Sequence, residues 1–469
     1  MTTALLNLPN RETIQRRYMC SYNAPNMLFP PQELMALGGI VKSWKTGTAH
    51  LIDAIAENIS IEQSIQRLKK INPDLIVTLS GFECFEEDMN AFAEIKKALP
   101  HSKTILFGHY ASLFAKEILN HFDFDFIILD EPDLKFSSLY DALEGKIHLS
   151  EVQGVAYKDS TGIKIQTGED RIRHPEELPM PAYELLQADK YFEPFLSGPF
   201  GLIQSARGCP YSCNYCVKSF GQKLTYRTSD QIISEIIFLK EKFGIRSLRF
   251  IDDTFTVSPR RVMEVCQKMI DHQLNIEWTC LSRTDTLREE MLPLMKRAGC
   301  KRIYFGVESG SPKVLKYLDK EMDVQQSLQN LKSCKQHGIE TLGFFLVGAP
   351  VETDEDFEMS VNYAIDADLD YVVVSAIIPY PGTPFFETLK EEIDFSILPY
   401  KNEWRDQSLT LRAKEREKEF YRRYYFRQRY MKNSLGRISR HPVDFIKNSA
   451  KLASFMLKGR AMQKRNDYM

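Results

Sequence analysis

The sequence predicts an α/β protein with an open, doubly wound first domain, a partial barrel of six βα units, and a helical C-terminal region. Three observations predict it. Short apolar runs alternate with helical patterns over residues 1–145, the same alternation resumes after a proline-rich stretch and fills residues 196–400, and the charge balance changes sign over residues 401–469. Residues 146–195 then read as the linker.

In the first segment, runs such as ALLNLP, PDLIVTLS, KTILFG and DFIILDEPD are separated by helical patterns such as IEQSIQRLKKI and DMNAFAEIKKAL. Strands spaced by helices of this length imply parallel βαβ units. Ligands of such sheets lie beyond the carboxyl ends of the strands. The loops expected there are TLSGFE (78–83), GHY (108–110) and LDEPD (129–133). Ser80, Gly81 and Gly108 are small enough for a close backbone approach, and His109 is the one imidazole in these loops.

The linker holds a hairpin-like stretch, GVAYKDSTGIKIQ, and a proline-rich connection, HPEELPMPAYELL. The second series runs through FGLIQSARGC, SLRFIDDTF, IEWTCLSR, KRIYFGVESG, TLGFFLVGAP and YVVVSAIIPY. Six strands alternating with helices make about three quarters of a βα barrel. Chemistry in barrels sits at the carboxyl ends of the strands, which is where SARGC, DDTF, SRTD, GVESG and GAPVET fall.

With 469 residues and 43% hydrophobic content the chain can build several cores, so wholesale disorder is excluded. No apolar run approaches the roughly 20 residues of a membrane-spanning helix. The start, MTTALLNLPNRETIQRR, lacks the regions of a signal peptide, so the cytoplasm is the expected compartment. Nine cysteines, three of them within eight residues, fit reduced thiols and a metal site better than a disulfide framework. Net charge is −2, yet residues 401–469 hold 19 Lys+Arg against 7 Asp+Glu, which leaves the first 400 residues at −14.

The segment RGCPYSCNYC places Cys209, Cys213 and Cys216 in a C-x3-C-x2-C spacing on a loop after an apolar strand. One loop can wrap three thiolates around three corners of an iron–sulfur cube and leave the fourth iron open for a chelating cosubstrate. Structural zinc wants four ligands, and no second CxxC or HxxxH pair lies nearby. Cys266, Cys280, Cys300 and Cys334 sit singly on apolar faces and read as core residues.

With Tyr215 just before the last cysteine, this segment resembles the radical S-adenosylmethionine (SAM) superfamily, and the strand-end motifs over 196–390 match its pattern in order. The resemblance implies a [4Fe–4S] cluster on the three cysteines with SAM at the open iron. It implies that Tyr215 packs near the adenine, that Asp252 or Asp253 meets the SAM amino group, that Arg283 and Glu308 approach the ribose or carboxylate, and that the GFFLVGAP strand with Gly348 lies along the adenine. A barrel-interior Arg283–Glu308 ion pair, and a helix N-cap role for Asp252 or Asp253 before SPRR, are the plainer readings of those residues. An electron from the reduced cluster would cleave SAM to methionine and a 5′-deoxyadenosyl radical, which abstracts hydrogen from the substrate.

Residues 1–145 and the barrel together are similar to the cobalamin-binding subgroup, which contains the anaerobic magnesium-protoporphyrin cyclase and hopanoid-lipid enzymes. FPPQELMALGGIV, PDLIVTLSG, DEPD and PYPGTP carry that likeness. It implies cobalamin as a further cofactor, lined by Ser80, Gly81, Gly108 and His109. The chain departs at the D-x-H-x-x-G run: Asp53 is followed by AIAEN, so no histidine from that loop reaches the lower cobalt face. A first domain without ligand, merely packed on the barrel, is the plainer alternative.

Residues 409–430 and 442–458 read as helices, the second amphipathic with Lys447, Lys451 and Lys458 beside its apolar stripe. Such a tail can cap the barrel or lie on an anionic membrane, which would place the protein peripherally at the inner membrane face. The mixture YRRYYFRQRY would suit RNA, but no RNA-binding module follows, so nucleic acid is not an expected partner. The leading expectation is an enzyme that functionalises an unactivated carbon, by methyl transfer or by cyclisation or rearrangement. Its substrate would be a small molecule or a lipid- or tetrapyrrole-like one, and a flavodoxin or ferredoxin would donate electrons. The alternatives are a tRNA methylthiotransferase, which would need three further cysteines where only Cys20 and Cys84 exist, and a non-catalytic, zinc-organised binding protein.

Overall fold

The computed structural model describes residues 1–432 except 19–20, 25–26, 169–171 and 219. The amphipathic segment 442–458 and Cys20 lie outside the described residues.

The first domain is built on β1 (Thr2–Asn7), β4 (Thr48–Asp53), β5 (Leu75–Leu79), β6 (Lys103–Phe107) and β7 (Phe126–Ile128), with a small hairpin, β2 (Ile14–Arg16) and β3 (Ser21–Asn23), inserted after β1. The sheet order is β4-β1-β5-β6-β7-β8-β9, parallel as far as β7, and its strands are near-continuous apolar runs because helices cover both faces. The last two strands, β8 (Val155–Asp159) and β9 (Gly162–Gln166), form an antiparallel hairpin on the β7 edge. The sheet therefore extends past residue 145 into the stretch read as linker. Order among the parallel strands reverses between β1 and β5, and a crevice opens at such a switch point.

The second domain holds β10 (Phe200–Ile203), the short pair β11 (Ala206–Arg207) and β12 (Thr225–Tyr226), then β13 (Ser247–Phe250), β14 (Glu277–Arg283), β15 (Cys300–Glu308), β16 (Glu340–Val347) and β17 (Tyr371–Ala376). Its six-stranded sheet has the all-parallel order β10-β13-β14-β15-β16-β17, a partial barrel. Helices between the strands start on residues suited to capping: Thr228 and Gln231 form a reciprocal capping box, and Thr353 accepts from the Asp356 N–H. The lone cysteines Cys266, Cys280, Cys300 and Cys334 are buried core residues of this domain.

An open barrel has edges that must be managed. A hairpin, β18 (Ile393–Ser396) and β19 (Lys401–Trp404), leads into the helix Gln407–Tyr425, which packs along β17. Tyr421 Oη accepts from the Val374 N–H (2.9 Å) and donates to its carbonyl (3.2 Å). Tyr425 Oη does the same at Val372, 3.0 and 2.9 Å. Tyrosine hydroxyls thus stand in for a seventh strand, and the aromatic part of YRRYYFRQRY caps the barrel. No helix among the described residues is long and apolar enough to cross a membrane.

Candidate active site

Beyond β10 the chain turns into β11, whose antiparallel partner β12 closes the cysteine loop at its base. Gly208, at φ +88°, passes so near the Lys223 carbonyl that a Cβ would lie 2.3 Å from its oxygen, so only glycine fits. The Cys209 N–H donates to the Gly221 carbonyl at 3.0 Å. Farther along, Asn214 donates from its backbone to Leu318 O (3.2 Å) and from its side chain to Tyr317 O (2.8 Å), and accepts from the Phe385 N–H (3.0 Å). Pinned at base and tip, the loop brings Cys209, Cys213 and Cys216 to one cavity of about 420 Å³.

The other walls come from the barrel strand ends and from the first domain. Asp253, Arg283 and Glu308 line the cavity with Tyr215, while Arg17, Tyr18, Tyr22 and Glu33 reach in from the first domain. Glu308 sits at φ +67° on a bulge at the end of β15 and pairs with buried Lys320 at 3.1 Å. A bulky residue held in the left-handed region marks local strain, which concentrates at functional sites. A Cβ at Gly306 would lie 2.6 Å from Glu308 Oε1, so this glycine makes room for the pair. Arg283 is held by Asp285 (2.7 and 2.9 Å), lies over the Tyr211 ring at 3.9 Å, and donates to Cys213 Sγ at 3.4 Å.

Burial pushes the Cys209 thiol up, and Cys216 is pushed up to about 12, by burial first and then by Asp253 and the neighbouring thiols. Asp253 is pushed up to about 6 by burial and the adjacent Asp252, and its Oδ2 has no hydrogen-bond partner. Thiols and carboxyls crowded this way favour bound cations, because metal binding is what stabilises their ionised forms. Among the described residues no three Cys, His, Asp or Glu side chains converge tightly enough to hold one metal ion. All three cysteines open onto the same cavity, an arrangement that a cluster of several irons can use.

Several expected site residues are placed differently. Asp252 lines the cavity beside Asp253, but its carboxylate is engaged: it accepts from the Ser205 and Ala206 N–H groups at 2.6 and 3.0 Å and from the Ser205 hydroxyl, bracing the turn into the cysteine loop. Neither aspartate caps the following helix, whose N-cap is Ser258. Arg283 and Glu308 do not pair with each other. Gly348 is off the cavity: a Cβ there would meet Ala413 of the helix Gln407–Tyr425 at 2.4 Å, and it is Phe344 of the same strand that reaches the cavity.

At the first sheet's strand ends, Arg16 fills the switch-point crevice. It donates to Asn7 Oδ1 (2.9 Å) and Leu8 O (2.8 Å) and grips Asp88 through Nε (3.0 Å) and Nη2 (2.6 Å). Ser80 donates to the same Asp88 at 2.7 Å, so its hydroxyl is engaged. Gly108, at φ +126°, packs on the Ser80 carbonyl, where a Cβ would lie at 2.6 Å. Gly81 adopts extended backbone ahead of the short turn Phe82–Cys84. His109 is held by its own N–H on Tyr18 O (2.9 Å), and burial lowers the imidazole's basicity; its Nε2 is buried without a hydrogen-bond partner.

Sequence reading missed Arg17, Tyr18, Tyr22 and Glu33 as cavity walls, and also Lys320. The only trace was the pair Arg16–Arg17 between ETIQ and two tyrosines. Their approach to a loop some 190 residues away leaves no local pattern.

The partial barrel with a three-cysteine loop at its strand ends is of the radical SAM type, and comparison with known proteins places the chain in that class. The model of the radical SAM superfamily matches residues 203–364. An uncharacterized methyltransferase of Pyrococcus horikoshii is 31% identical over 387 residues, 82% of each chain. The anaerobic magnesium-protoporphyrin IX monomethyl ester cyclase of Cereibacter sphaeroides is 25% identical, over 78% of this chain and 61% of its own length. Among solved structures, the cobalamin-dependent SAM radical enzyme OxsB, with aqua-cobalamin and SAM bound, superposes with TM-score 0.75 at 18% identity, covering 98% of this chain and 71% of that one. The radical SAM methyltransferase TsrM of Kitasatospora setae, with cobalamin and a [4Fe–4S] cluster bound, gives 0.65 at 15% identity, over 83% and 74%. The chain belongs to the radical SAM superfamily and is an enzyme of that type.

Proposed function

We propose that Cys209, Cys213 and Cys216 hold a [4Fe–4S] cluster, that SAM occupies the rest of the 420 Å³ cavity, and that the enzyme functionalises an unactivated carbon of a small molecule, by methyl transfer in the first instance. One observation carries the reading: three thiols on one pinned loop share a cavity with an unpartnered carboxyl, Asp253, and a strained Glu308–Lys320 pair. Bound there, cluster and SAM supply the electron and the radical precursor. The chain's own residues bind and orient. Asp253 suits a cationic amino group, Arg283 a carboxylate, and Tyr215, half-buried against the apolar cluster that includes Val314 and Leu318, offers an aromatic face. Tyr18, Tyr22, Phe29 and Phe344 keep water from the far side.

Cobalamin is the second cofactor of this reading, supported by the cobalamin-dependent neighbours and by the orphaned His109 Nε2 at the end of β6. Its supply would be a transferable methyl group. Gly108 and His109 would rim it above a floor closed by Arg16 and Asp88, with no histidine offered from the loop after Asp53. A flavodoxin or ferredoxin as donor belongs to the same reading, as does a membrane-surface contact through residues 442–458, for which only the basic tail speaks.

Anaerobic purification tests the proposal. Roughly four irons with matching sulfide, a brown charge-transfer band and formation of 5′-deoxyadenosine from SAM are expected. Zinc without sulfide overturns it. Corrinoid absorbance retained after desalting from hydroxocobalamin tests the second cofactor, and its loss would leave the first domain a scaffold.

A further inference from the structure

We infer that Arg207 is a positioning residue, a strut that fixes the cysteine loop against the first domain through Glu131 and Asp133. The inference rests on the cluster reading above.

Arg207 stands two residues before Cys209 and does not itself line the 420 Å³ cavity. Its Nη1 donates to Glu131 (2.5 Å) and Asp133 (2.8 Å), its Nη2 to Asp133 (3.2 Å) and its Nε to Gln204 Oε1 (2.8 Å). The three charged side chains are 9, 8 and 3% exposed. The carboxylates are rigidly mounted, flanking Pro132 at the start of the helix Pro132–Leu143, and the second Glu131 oxygen accepts from the Ile172 N–H at 3.1 Å. The guanidinium also lies over the Phe220 ring at 4.8 Å, on the returning arm of the same loop, and Phe220 stacks on Tyr18 at 5.8 Å.

Burying such a triad is a poor route to stability, since desolvation offsets most of the Coulombic gain. What a forked guanidinium does well is fix orientation, because it holds carboxylates in two directions at once. Between strut and thiol there is only Gly208, packed on the Lys223 carbonyl, so a displacement of Arg207 has no slack in which to dissipate. LDEPD, a strand-end loop in the sequence, thereby becomes part of the mounting of the cysteines rather than a ligand loop.

The test uses anaerobically reconstituted protein and the electron paramagnetic resonance spectrum of the reduced cluster, with and without SAM, for wild type, Arg207→Lys and Asp133→Asn. Wild type should show a reduced-cluster signal that shifts on SAM addition; no cluster in wild type would overturn the cluster reading and, with it, the basis of the strut. Both variants should keep wild-type iron content and circular dichroism, yet lose or broaden the SAM-induced shift, with 5′-deoxyadenosine formation down by about 100-fold, the scale of a misplacement near 1 Å. Arg207→Lys, which keeps the charge but not the fork, should not rescue the signal. Wild-type spectra and rates in both variants would overturn the strut. Should Arg207→Lys fail to fold, Asp133→Asn, which keeps the side-chain shape, decides by the same spectrum.

Discussion

The two parallel sheets point their strand ends at each other, and they treat them in opposite ways. At the first sheet, Arg16, Asn7, Ser80, Asp53 and Asp88 hydrogen-bond one another, and Tyr191 completes the ring by donating to Asp53 at 2.8 Å. At the barrel, the strand ends surround an open cavity and keep a carboxyl without a partner, a glutamate in the left-handed region, and three thiols raised or buried. A satisfied polar network rigidifies, whereas an unsatisfied one awaits a ligand. The difference marks the barrel cavity as the proposed SAM site, while on the first sheet the network closes the switch point and leaves His109, its Nε2 buried without a partner, at the side proposed for the second cofactor.

The sharpest break of that contrast is Cys213→Ala. It should abolish SAM cleavage and the brown chromophore while circular dichroism stays that of wild type; continued 5′-deoxyadenosine formation would move the chemistry elsewhere. On the other sheet, Asp88→Ala should act on stability. Arg16 would be left as a buried, uncompensated charge, which costs about 3–5 kcal/mol, read by denaturant titration of the metal-free protein. A loss under 1 kcal/mol, within the range of ordinary surface changes (about 0.5), would mean the crevice is already wet.

Asp253 sharpens the comparison through pH. Its folded-state acidity, about 6, lies above the ordinary 3.8, so the folded metal-free protein binds the extra proton between these values. Stability contributed by the neutral acid is therefore present below about pH 4 and lost as pH rises through about 6, a loss on the order of 3 kcal/mol. Asp253→Asn should flatten that decline in melting temperature measured across the window. The smallest effect belongs to the barrel edge: Tyr421→Phe or Tyr425→Phe should each cost about 1 kcal/mol, with the SAM-cleavage rate unchanged.

Much of the site was legible because cluster loops and barrel strand ends are local signals: RGCPYSCNYC, DDTF, SRTD and GVESG each announce themselves within a few residues. The choice between Asp252 and Asp253 was not, since it depends on which carboxylate the Ser205 and Ala206 amides capture. Gly348 was misplaced for a similar reason, as nothing in LVGAP reveals that a helix 60 residues on will press against it. That the tail could cap the barrel was legible, but not that the tyrosines of YRRYYFRQRY would do so through the backbone of β17, because an edge strand's need for partners is a property of the finished sheet.

In the proposed site three protein sulfurs hold an iron–sulfur cluster and leave one iron to SAM. Electron–nuclear double resonance on the reduced enzyme, using SAM isotopically labelled in its amino nitrogen and carboxylate oxygens, tests it most directly. Strong hyperfine couplings from both labels are expected; a cluster signal blind to both labels would contradict the account.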